Sequence, residues 1–463
     1  MFKKVLIANR GEIALRINRA CRELGIATVA IFSEADRGAL HVRHADEAFC
    51  VGPAQAARSY LNIPNIISTA LITGADALHP GYGFLAENAR FAEICLDHGI
   101  KFIGPAPPVI AQMGDKARAK QIVAAAGVPT TPGSDVLDSA GAARREAERI
   151  GFPVLLKAVA GGGGKGMREV RRAEELQTAF ATAQSEAEAN FKDGRLYLEK
   201  LIVEPRHIEV QVLADEHGEL VQLGERDCSV QKPGHQKLIE ESPAALLDPA
   251  LRERLHVMAV AAARAVGYSN AGTLEFLVSG EQIWFMEMNT RIQVEHPVTE
   301  VTYGVDLVKE QIRIAFGERL GFTQADLQPF GYAIECRINA EDPDRDFAPA
   351  AGTLTSVELP GGPGVRVDTH VFAGLDVPPF YDSLLAKIIA VGRTRASALA
   401  RMERALAETR IEGVKTTTEI CGEILRDDRF ARGGVPIDFL PHTFLEEREE
   451  RRRNLVAAGE RAP

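Results

Sequence analysis

The most informative pattern in the chain is an alternation of polar and packing residues over EMNTRIQVE, residues 287–295. Side chains alternate between the two faces of an extended strand, so every second residue is expected to project from one face. Two carboxylates, an amide and a guanidinium in one row suit a divalent cation at one end and a small planar anion at the other. A solvated edge strand is the alternative. The polar set is Glu287, Asn289, Arg291, Gln293 and Glu295.

The first hundred residues alternate strand and helix signals. A short apolar run at Val5–Ala8 is followed by helical periodicity over Glu12–Leu24 and by a β-rich stretch at Thr28–Phe32. This βαβ unit predicts a parallel sheet. The turn between strand and helix, ANRGEIA, lacks the GxGxxG fingerprint of dinucleotide-binding folds, which disfavours a nicotinamide or flavin cofactor.

Prolines and composition changes divide the rest of the chain. Pro105, Pro107 and Pro108 end the first region, and a compact unit lies between about residues 130 and 202. That unit contains the strand PVLLKAV, the loop AGGGGKGMREV, a long helix over Ala173–Ala189 and the strand LYLEKLI. A third region follows Phe330. The charged tail, residues 446–463, is predicted to be a solvated helix end or disordered.

Composition restricts the class of protein. A chain of 463 residues implies about two to four domains. The formal charge of −10 argues against a nucleic-acid-binding surface, and six cysteines without CxxC spacing indicate reduced thiols and no zinc site. The N-terminus does not resemble a signal peptide, and no apolar stretch reaches the length of about 18 residues that a membrane span needs. We therefore expect a cytoplasmic enzyme.

The glycine run Gly161–Gly164, followed by Lys165 and Gly166, offers bare backbone amides and a cation. Flexible loops of this kind wrap phosphates, although a plain flexible loop is the alternative. It is not a Walker A loop, because neither Ser nor Thr follows the lysine. Lys157, at the end of the preceding apolar run, would place an ammonium at the rim of such a site.

Glu275 lies in the apolar strand GTLEFLV, where a buried carboxylate needs a partner. Glu287 on the next strand is the natural neighbour, and with Asn289 the pair would form an oxygen-rich site for Mg²⁺ bridging nucleotide phosphates. The alternative is a structural ion pair between Glu275 and an arginine.

Two residues of the 287–295 segment are the candidates for binding the anion and for removing its proton. Arg291 offers a planar fork that matches a carboxylate-like anion, and Glu295 is placed to take a proton from it. The nearby KPGHQK stretch supplies Lys232, His235 and Lys237, although taken alone it would be a solvated charged loop.

Together these segments resemble the ATP-grasp superfamily and, much more closely, biotin carboxylase, the ATP- and bicarbonate-dependent component of biotin-dependent carboxylases. The matching strings run in the expected order from residue 1 to about 445: ANRGEIA, HPGYGFLAEN, MGDK, KAVAGGGGKGM, ERDCSVQ, HQK, EFL, EMNTRIQVEHPVTE, RINAEDP and YDSLLAK. The resemblance implies an α/β fold with three domains. These are an N-terminal Rossmann-like parallel-sheet domain (1–113), an ATP-grasp domain (114–330) with a mobile glycine-rich lid (about 130–202), and a C-terminal α+β domain (331–445).

The resemblance also implies a nucleotide site. It assigns the ATP phosphates to Lys116, Lys157, Gly162, Gly163, Gly164, Lys165 and Gly166, with Met167 near the purine. It assigns adenine binding to Glu199, Lys200 and Ile202, and the surroundings of the ribose to His207, Gln231 and His235. Glu275 and Glu287, with Asn289 beside them, would hold Mg²⁺ or Mn²⁺.

For the reaction itself, the resemblance implies a carbon–nitrogen ligase that makes carboxyphosphate from ATP and bicarbonate and then carboxylates biotin, giving ADP and phosphate. Bicarbonate would be held by Lys237, Arg291, Gln293 and the backbone of Val294. Glu295 resembles the general base, Arg337 the residue that stabilises the biotin enolate, and Tyr82 would lie near the biotin ring. Bicarbonate is unreactive until phosphorylated, and a closed dry site suppresses hydrolysis of the product.

The chain departs from the family pattern at three places. Ala86 stands where serine is common, KPG lengthens the loop before HQK by one residue, and the tail after about Leu445 does not match. The longer loop puts the placement of His235 and Lys237 in question. There is no AMKM biotinylation segment, so we expect a free-standing subunit that acts on a biotinylated carrier protein and works with carboxyltransferase subunits.

The resemblance alone implies a homodimer, and it leaves acetyl-CoA, another acyl-CoA or pyruvate open as the final acceptor. Two competing interpretations remain: an ATP-grasp ligase for a different carboxylate, such as a purine-biosynthetic carboxylase, and a catalytically silent nucleotide-binding subunit. HPGYGF and Arg337 speak against the first, and the intact set of site residues speaks against the second.

Overall fold

The computed structural model describes residues 1–159, 167–191 and 193–457. Its N-terminal region confirms the predicted parallel sheet, which has the spatial strand order β3-β2-β1-β4-β5. The strands are β1 (Lys4–Ile7), β2 (Ala27–Ser33), β3 (Glu47–Gly52), β4 (Ala77–His79) and β5 (Lys101–Phe102). The helices are α1 (Gly11–Glu23), α2 (Leu40–His44), α3 (Ile63–Thr73), α4 (Ala89–Asp97) and α5 (Pro107–Gly114). Parallel strands covered on both faces are apolar throughout, as Val5, Leu6 and Ile7 are here.

A small α/β unit follows helix α6 (Lys116–Ala125). It contains α7 (Ala140–Ile150), β6 (Val154–Ala158), β7 (Met167–Val170), α8 (Leu176–Phe191) and β8 (Leu196–Lys200), with the antiparallel order β7-β6-β8. Its apolar side chains form a cluster of their own around Val154, Leu156 and Leu198. The helix predicted over Ala173–Ala189 begins as a 3₁₀ turn and continues as α8. The predicted glycine loop, residues 161–166, lies outside the described residues.

The largest element is an eight-stranded antiparallel sheet with the order β13-β12-β9-β10-β11-β14-β21-β19. Its strands are β9 (Arg206–Ala214), β10 (Leu220–Lys232), β11 (Gln236–Ser242), β12 (Asn270–Ser279), β13 (Gln282–Asn289), β14 (Tyr332–Asn339), β19 (Val365–Thr369) and β21 (Leu384–Gly392). Short two-stranded pieces pair β15 (Glu341–Asp342) with β16 (Ala348–Pro349), β17 (Gly352–Thr353) with β20 (Asp376–Val377), and β18 (Ser356–Glu358) with β22 (Arg410–Glu412). The helices are α9 (Pro249–Ala265), α10 (His296–Tyr303), α11 (Leu307–Phe316), α12 (Arg395–Glu408), α13 (Thr418–Leu425), α14 (Asp428–Arg432) and α15 (Leu445–Ala457).

This sheet joins the second and third predicted regions, because β11 pairs with β14 across the limit placed at residue 330. Glu240 on β11 lies opposite Glu335 on β14, and Arg337 on β14 lies opposite Lys387 on β21. Side chains from both regions are therefore held in fixed register on one surface.

The prediction of one extended strand over residues 287–295 is wrong beyond Asn289. Strand β13 ends there, the chain bends, and Glu295 becomes the residue that precedes helix α10. Pro297, in the first turn of that helix, favours the helical start because its φ angle is already fixed. Among the described residues, no helix is long and apolar enough to cross a membrane.

Candidate active site

The N-terminal domain, the small unit and the large sheet enclose a cleft of about 890 Å³. Every described residue that the sequence assigned to the site lines this cleft. These are Tyr82, Lys116, Lys157, Met167, Glu199, Lys200, Ile202, His207, Gln231, His235, Lys237, Glu275, Glu287, Asn289, Arg291, Gln293, Val294, Glu295 and Arg337. Gly162, Gly163, Gly164, Lys165 and Gly166 lie outside the described residues. The five polar residues of the bent 287–295 segment thus share one cavity although they do not share one strand face.

The ammonium of Lys237 stands at the centre of three carboxylates. Its Nζ lies 2.7 Å from Glu209 Oε2, 2.9 Å from Glu275 Oε1 and 2.6 Å from Glu295 Oε1. Burial alone would lower the pKa of Lys237, but the three carboxylates raise it well above its ordinary value. Lys237 is therefore a fixed positive charge at the point where the sequence places the anion.

Glu295 is shared between two cations. Its second oxygen, Oε2, accepts a hydrogen bond of 2.9 Å from Arg337 Nη2, and Arg337 Nε donates to Glu240 Oε1 at 2.5 Å. Burial would raise the pKa of Glu295, but Lys237 and Arg337 hold it below its ordinary value. The carboxylate is thus ionised, as a general base must be before it accepts a proton.

Glu275 and Glu287 occupy directly opposed positions on β12 and β13, as predicted. Their charge partners are lysines: Glu275 contacts Lys237, and Glu287 Oε2 lies 3.1 Å from Lys116 Nζ. The alternative of an arginine partner for Glu275 is therefore wrong. Asn289 Nδ2 also donates to Glu275 Oε1, at 2.9 Å. Carboxylate and amide oxygens from two adjacent strands are the donor set that Mg²⁺ prefers, so these residues fit the predicted metal.

The nucleotide end of the cleft is built on β6, β8 and β9. Lys157 Nζ lies 2.6 Å from Glu199 Oε2, and Lys120 pairs with the other oxygen of Glu199. Burial lowers the pKa of Lys120, against the opposite effect of Glu199. Lys200 directs its ammonium away from the cleft, to the carbonyls of residues 151 and 152 at 2.8 and 2.9 Å.

The remaining nucleotide positions surround this end. Ile202 is buried in the wall, and Met167 begins β7. His207 Nδ1 lies 2.9 Å from Gln231 Nε2, and His207 Nε2 lies 3.1 Å from Glu275 Oε2, so the residues predicted to border the ribose contact one predicted to hold the metal.

Arg291 is held in place on two sides. Its Nε donates to Glu87 Oε2 at 2.9 Å, and its Nη2 donates to Asn289 Oδ1 at 2.9 Å. Gln293 Nε2 donates to Glu275 Oε1 at 2.6 Å. The carbonyl of Val294 accepts a hydrogen bond of 2.7 Å from Lys387 Nζ. Each of the three residues assigned to bicarbonate beside Lys237 is thus held by a hydrogen bond to a neighbouring group.

Tyr82 closes the opposite end of the cleft. Its hydroxyl donates to Glu12, whose Oε1 also lies 3.1 Å from Lys387 Nζ. Burial raises the pKa of Tyr82 well above its ordinary value, so the phenol stays protonated. Arg337 stands between this end and Lys237.

The longer KPGHQK hairpin does not displace the site. Its extra residue is absorbed in a three-residue turn between Lys232 and Gln236, with positive φ at Gly234 (84°) and His235 (62°). Lys237 faces Gln231 across the hairpin and reaches its three carboxylates. The alternative of a solvated charged loop is wrong for Lys232, which is 3% exposed.

Sequence reasoning missed Glu209 and the buried Arg226. Arg226 Nε donates to Glu209 Oε1 at 2.5 Å, and Arg226 also donates to Gln211, Thr273, Thr299 and Gln293. A signal was available, because RHIEVQVLA alternates polar and apolar residues in the same way as EMNTRIQVE and places His207, Glu209 and Gln211 on one strand face.

Comparison with known proteins identifies the family of the chain. The family model described as "Biotin carboxylase, N-terminal domain" matches residues 1–110, "Carbamoyl-phosphate synthase L chain, ATP binding domain" matches residues 115–323, and "Biotin carboxylase C-terminal domain" matches residues 335–442. Biotin carboxylase of Nostoc sp. is 56% identical over 441 residues, 95% of this chain and 98% of that protein.

Two further relatives carry different carboxylase names. A pyruvate carboxylase subunit of Methanothermobacter thermautotrophicus is 54% identical over 95% of this chain and 90% of its own length. The biotin carboxylase domain dimer of Hydrogenobacter thermophilus 2-oxoglutarate carboxylase, solved with MgADP, ADP and bicarbonate, has a TM-score of 0.91 and 51% identity. The match covers 97% of this chain and 98% of that one. Since the family models and these relatives cover nearly the whole sequence, the chain belongs to the biotin carboxylase family of ATP-dependent ligases.

Proposed function

We propose that this protein carboxylates biotin on a separate carrier protein, with bicarbonate as the carbon source and MgATP as the energy source. The observation that carries the proposal is the Lys237–Glu295–Arg337 row. Glu295, the proposed base, lies between Lys237, which can hold an anion, and Arg337, which can stabilise an enolate. Its Oε1 is 2.6 Å from Lys237 Nζ, and its Oε2 is 2.9 Å from Arg337 Nη2.

In the first step, bicarbonate binds at Lys237, against Arg291, Gln293 and the backbone of Val294. The incoming anion competes with Glu295 for the Lys237 ammonium, which is 12% exposed on its side chain and so accessible from the cleft. Releasing Glu295 from that ion pair raises its basicity, and it takes the bicarbonate proton. The deprotonated anion then attacks the terminal phosphate of ATP to give carboxyphosphate and ADP.

The nucleotide end positions ATP for that attack. Lys116, Lys157 and the Gly162–Gly166 loop are proposed to hold the phosphates, while Glu199, Lys200 and Ile202 hold the adenine and His207, Gln231 and His235 border the ribose. Mg²⁺ held by Glu275, Glu287 and Asn289 would neutralise phosphate charge. Binding of phosphates and metal requires Lys116 to leave Glu287 and Lys157 to leave Glu199, so both lysines exchange a protein carboxylate for a ligand oxygen.

The biotin end lies between Tyr82 and Arg337. Carboxyphosphate breaks into CO₂ and phosphate beside the biotin ring, and that phosphate removes the ureido N–H proton. The resulting ureido nitrogen attacks CO₂ and forms the C–N bond of carboxybiotin. Arg337, which lines the cleft, balances the charge that develops on the ureido oxygen.

We further propose the domain limits 1–113, 114–330 and 331–445, with residues 130–202 acting as a lid over ATP. The independent apolar cluster of the small unit supports a lid that moves as one body. We also propose that the protein works with a biotinylated carrier protein and with carboxyltransferase subunits, that it forms a homodimer, and that it is cytoplasmic. The Hydrogenobacter thermophilus relative, whose domain is a dimer bound to bicarbonate, supports the dimer and the anion. Acetyl-CoA, for fatty acid biosynthesis, another acyl-CoA or pyruvate remains the candidate acceptor.

The test is release of ADP by the purified protein with MgATP and bicarbonate, with and without free biotin. Bicarbonate-dependent release that biotin stimulates is expected. Bicarbonate dependence without a response to biotin or to a biotinylated carrier would favour an ATP-grasp ligase for another acceptor. Absence of ATP cleavage under every condition would contradict the proposal and favour a catalytically silent subunit.

A further inference from the structure

Two of the three places where the chain departs from the family pattern, the KPG hairpin and the tail, contact the same loop, residues 341–347. Lys232, the last residue of β10, is buried, pairs with Glu341, and places its Nζ 5.4 Å from the ring centroid of Phe347. On the other side of the loop, Asp344 pairs with Arg448 of α15 at 2.7 Å and with Arg452. The loop is therefore anchored from both sides.

The carboxylate of Glu341 is a junction of three cleft-lining segments. One oxygen pairs with Lys232 at the hairpin. The other, Oε1, accepts hydrogen bonds from Ser383 Oγ at 2.6 Å and from Asn339 Nδ2 at 3.3 Å. Asn339 ends β14, which carries Arg337, and Ser383 precedes β21. A buried carboxylate and a buried ammonium require one another, because each alone would carry a large desolvation cost.

Lys232 is the point at which the hairpin is tied to the rest of the site. The tip residues Pro233, Gly234 and His235 are exposed, whereas Lys232 at the base of the hairpin is buried. The hairpin pairs Lys232 with Gln236 and Lys237 with Gln231, and the ammonium of Lys237 contacts Glu275 and Glu295, which are proposed to hold the metal and to take the bicarbonate proton. The Lys232–Glu341 pair shares no hydrogen bond with those groups among the described residues, so we expect it to stay in place when ligands bind.

We propose that Lys232 is a positioning residue, which through Glu341 sets the place of the hairpin that carries His235 and Lys237. The inference deepens the proposed function and rests on it, because Lys237 is proposed to hold bicarbonate. The inference predicts that loss of the Lys232–Glu341 pair changes the steady-state constants for bicarbonate more than those for biotin. The reason is that the hydrogen bonds of Glu341 to Ser383 and Asn339 do not depend on Lys232.

The experiment compares steady-state constants for bicarbonate and for free biotin in a Lys232→Met/Glu341→Gln double variant, which removes both charges and preserves volume and most hydrogen bonds. A fall of kcat/KM for bicarbonate by about 10- to 100-fold is expected, with KM for biotin within about twofold of wild type. Lys232→Arg, which can keep the ion pair, should retain most of the bicarbonate activity. Glu341→Asp keeps the charge but shortens the side chain. We expect it to lower kcat/KM for bicarbonate less than the double variant does, again with KM for biotin little changed.

Two controls separate positioning from general damage. Ser383→Ala removes the other strong bond of Glu341, and it should leave KM for bicarbonate unchanged. Lys101→Met breaks the surface pair of Lys101 with Glu216, whose side chains are 34% and 41% exposed, and it should leave all constants unchanged. An unaltered kcat/KM for bicarbonate in the double variant and in Glu341→Asp, or equal losses for bicarbonate and biotin, would overturn the inference. Lack of bicarbonate-dependent ADP release in the wild-type protein would instead overturn the proposed function.

Discussion

The carboxylate of Glu295 lies 2.6 Å from the ammonium of Lys237, so the proposed base is ion-paired with the proposed anion holder. In the proposed mechanism, this contact keeps Glu295 ionised and weakly basic until an anion takes its place at Lys237. Arg337, 2.9 Å from the other oxygen, retains its contact meanwhile and fixes the direction of the carboxylate. Binding of bicarbonate and activation of the base are then one event, which limits deprotonation to the moment when the substrate is present.

Glu295→Gln removes the base but keeps the shape of the side chain. We expect MgADP binding to match that of wild type, and bicarbonate-dependent ADP release to fall by about 100-fold or more, in line with the contribution of a general base. Calorimetric titration with MgADP and a coupled ADP assay measure the two effects. Glu216→Gln at the surface is the matched control. Normal turnover in Glu295→Gln would exclude this residue as the base.

Arg337→Ala should impair biotin carboxylation more than bicarbonate-dependent ATP cleavage, because the guanidinium is proposed to act on the biotin enolate. We expect about a 100-fold loss of biotin-stimulated turnover, the usual cost of removing one donor from a developing oxyanion. Carboxybiotin formation and ADP release, measured in the same samples, check the split.

The substitution also leaves Glu240 and Glu295 without their arginine, so Arg337→Lys serves as the charge-conserving comparison. Equal loss of both activities in Arg337→Lys would assign the residue to bicarbonate binding or to structure rather than to the biotin enolate.

The sequence was sufficient for the parts of this protein that depend on local patterns. The βαβ start and the cross-strand neighbours Glu275 and Glu287 follow from periodicity and strand adjacency alone. The bend after Asn289 was not predicted, because the residues that form it are compatible with an extended strand, and the signal of Pro297 in the first turn of α10 was not used.

Most of the site features that the sequence did not predict are ion pairs between residues far apart in the chain. Lys232 meets a partner 109 residues away, and Lys237 meets Glu209, 28 residues away on a strand that is not its neighbour. A charged residue in a short polar segment gives no local sign of burial, so Lys232 resembled a surface lysine. The burial of Arg226 could not be predicted from the sequence either, because several of its partners lie on β9 and β12 and come together only when the sheet forms.

Arg226→Met is expected to destabilise the protein strongly. Arg226 is completely buried, and its removal leaves Glu209 with Lys237 as its cationic partner. Breaking one side of a buried pair costs about 3–5 kcal/mol. Urea unfolding followed by circular dichroism at pH 7 measures the free energy of unfolding. Arg144→Met, which breaks an exposed pair with Glu148, should change it by about 0.5 kcal/mol or less. Similar stability of the two variants would show that the Arg226 network contributes little.

Glu335→Gln should alter how stability depends on pH. Glu335 is fully buried, and neither of its carboxylate oxygens has a hydrogen-bond partner among the described residues. The charged groups that face it are Lys387, Glu240, Arg337 and Glu295. Burial raises the pKa of Glu335 well above its ordinary value; Lys387 and Arg337 oppose the rise, and Glu240 and Glu295 add to it. The folded protein therefore keeps a proton on Glu335 at pH values where the unfolded chain has lost it.

The sign of the effect follows from this proton. Above the unfolded pKa of about 4.3, the folded state binds one proton more than the unfolded state, so the free energy of unfolding falls by up to about 1.4 kcal/mol per pH unit until the raised pKa is reached. Glutamine does not titrate, so the variant should match wild type near pH 4.5 and exceed it in stability at pH 7 to 8. Urea unfolding across pH 4.5 to 8 measures the difference, with the exposed Glu174→Gln as control. Parallel curves for wild type and Glu335→Gln would mean that Glu335 is ionised in the folded protein and that Lys387 compensates its charge.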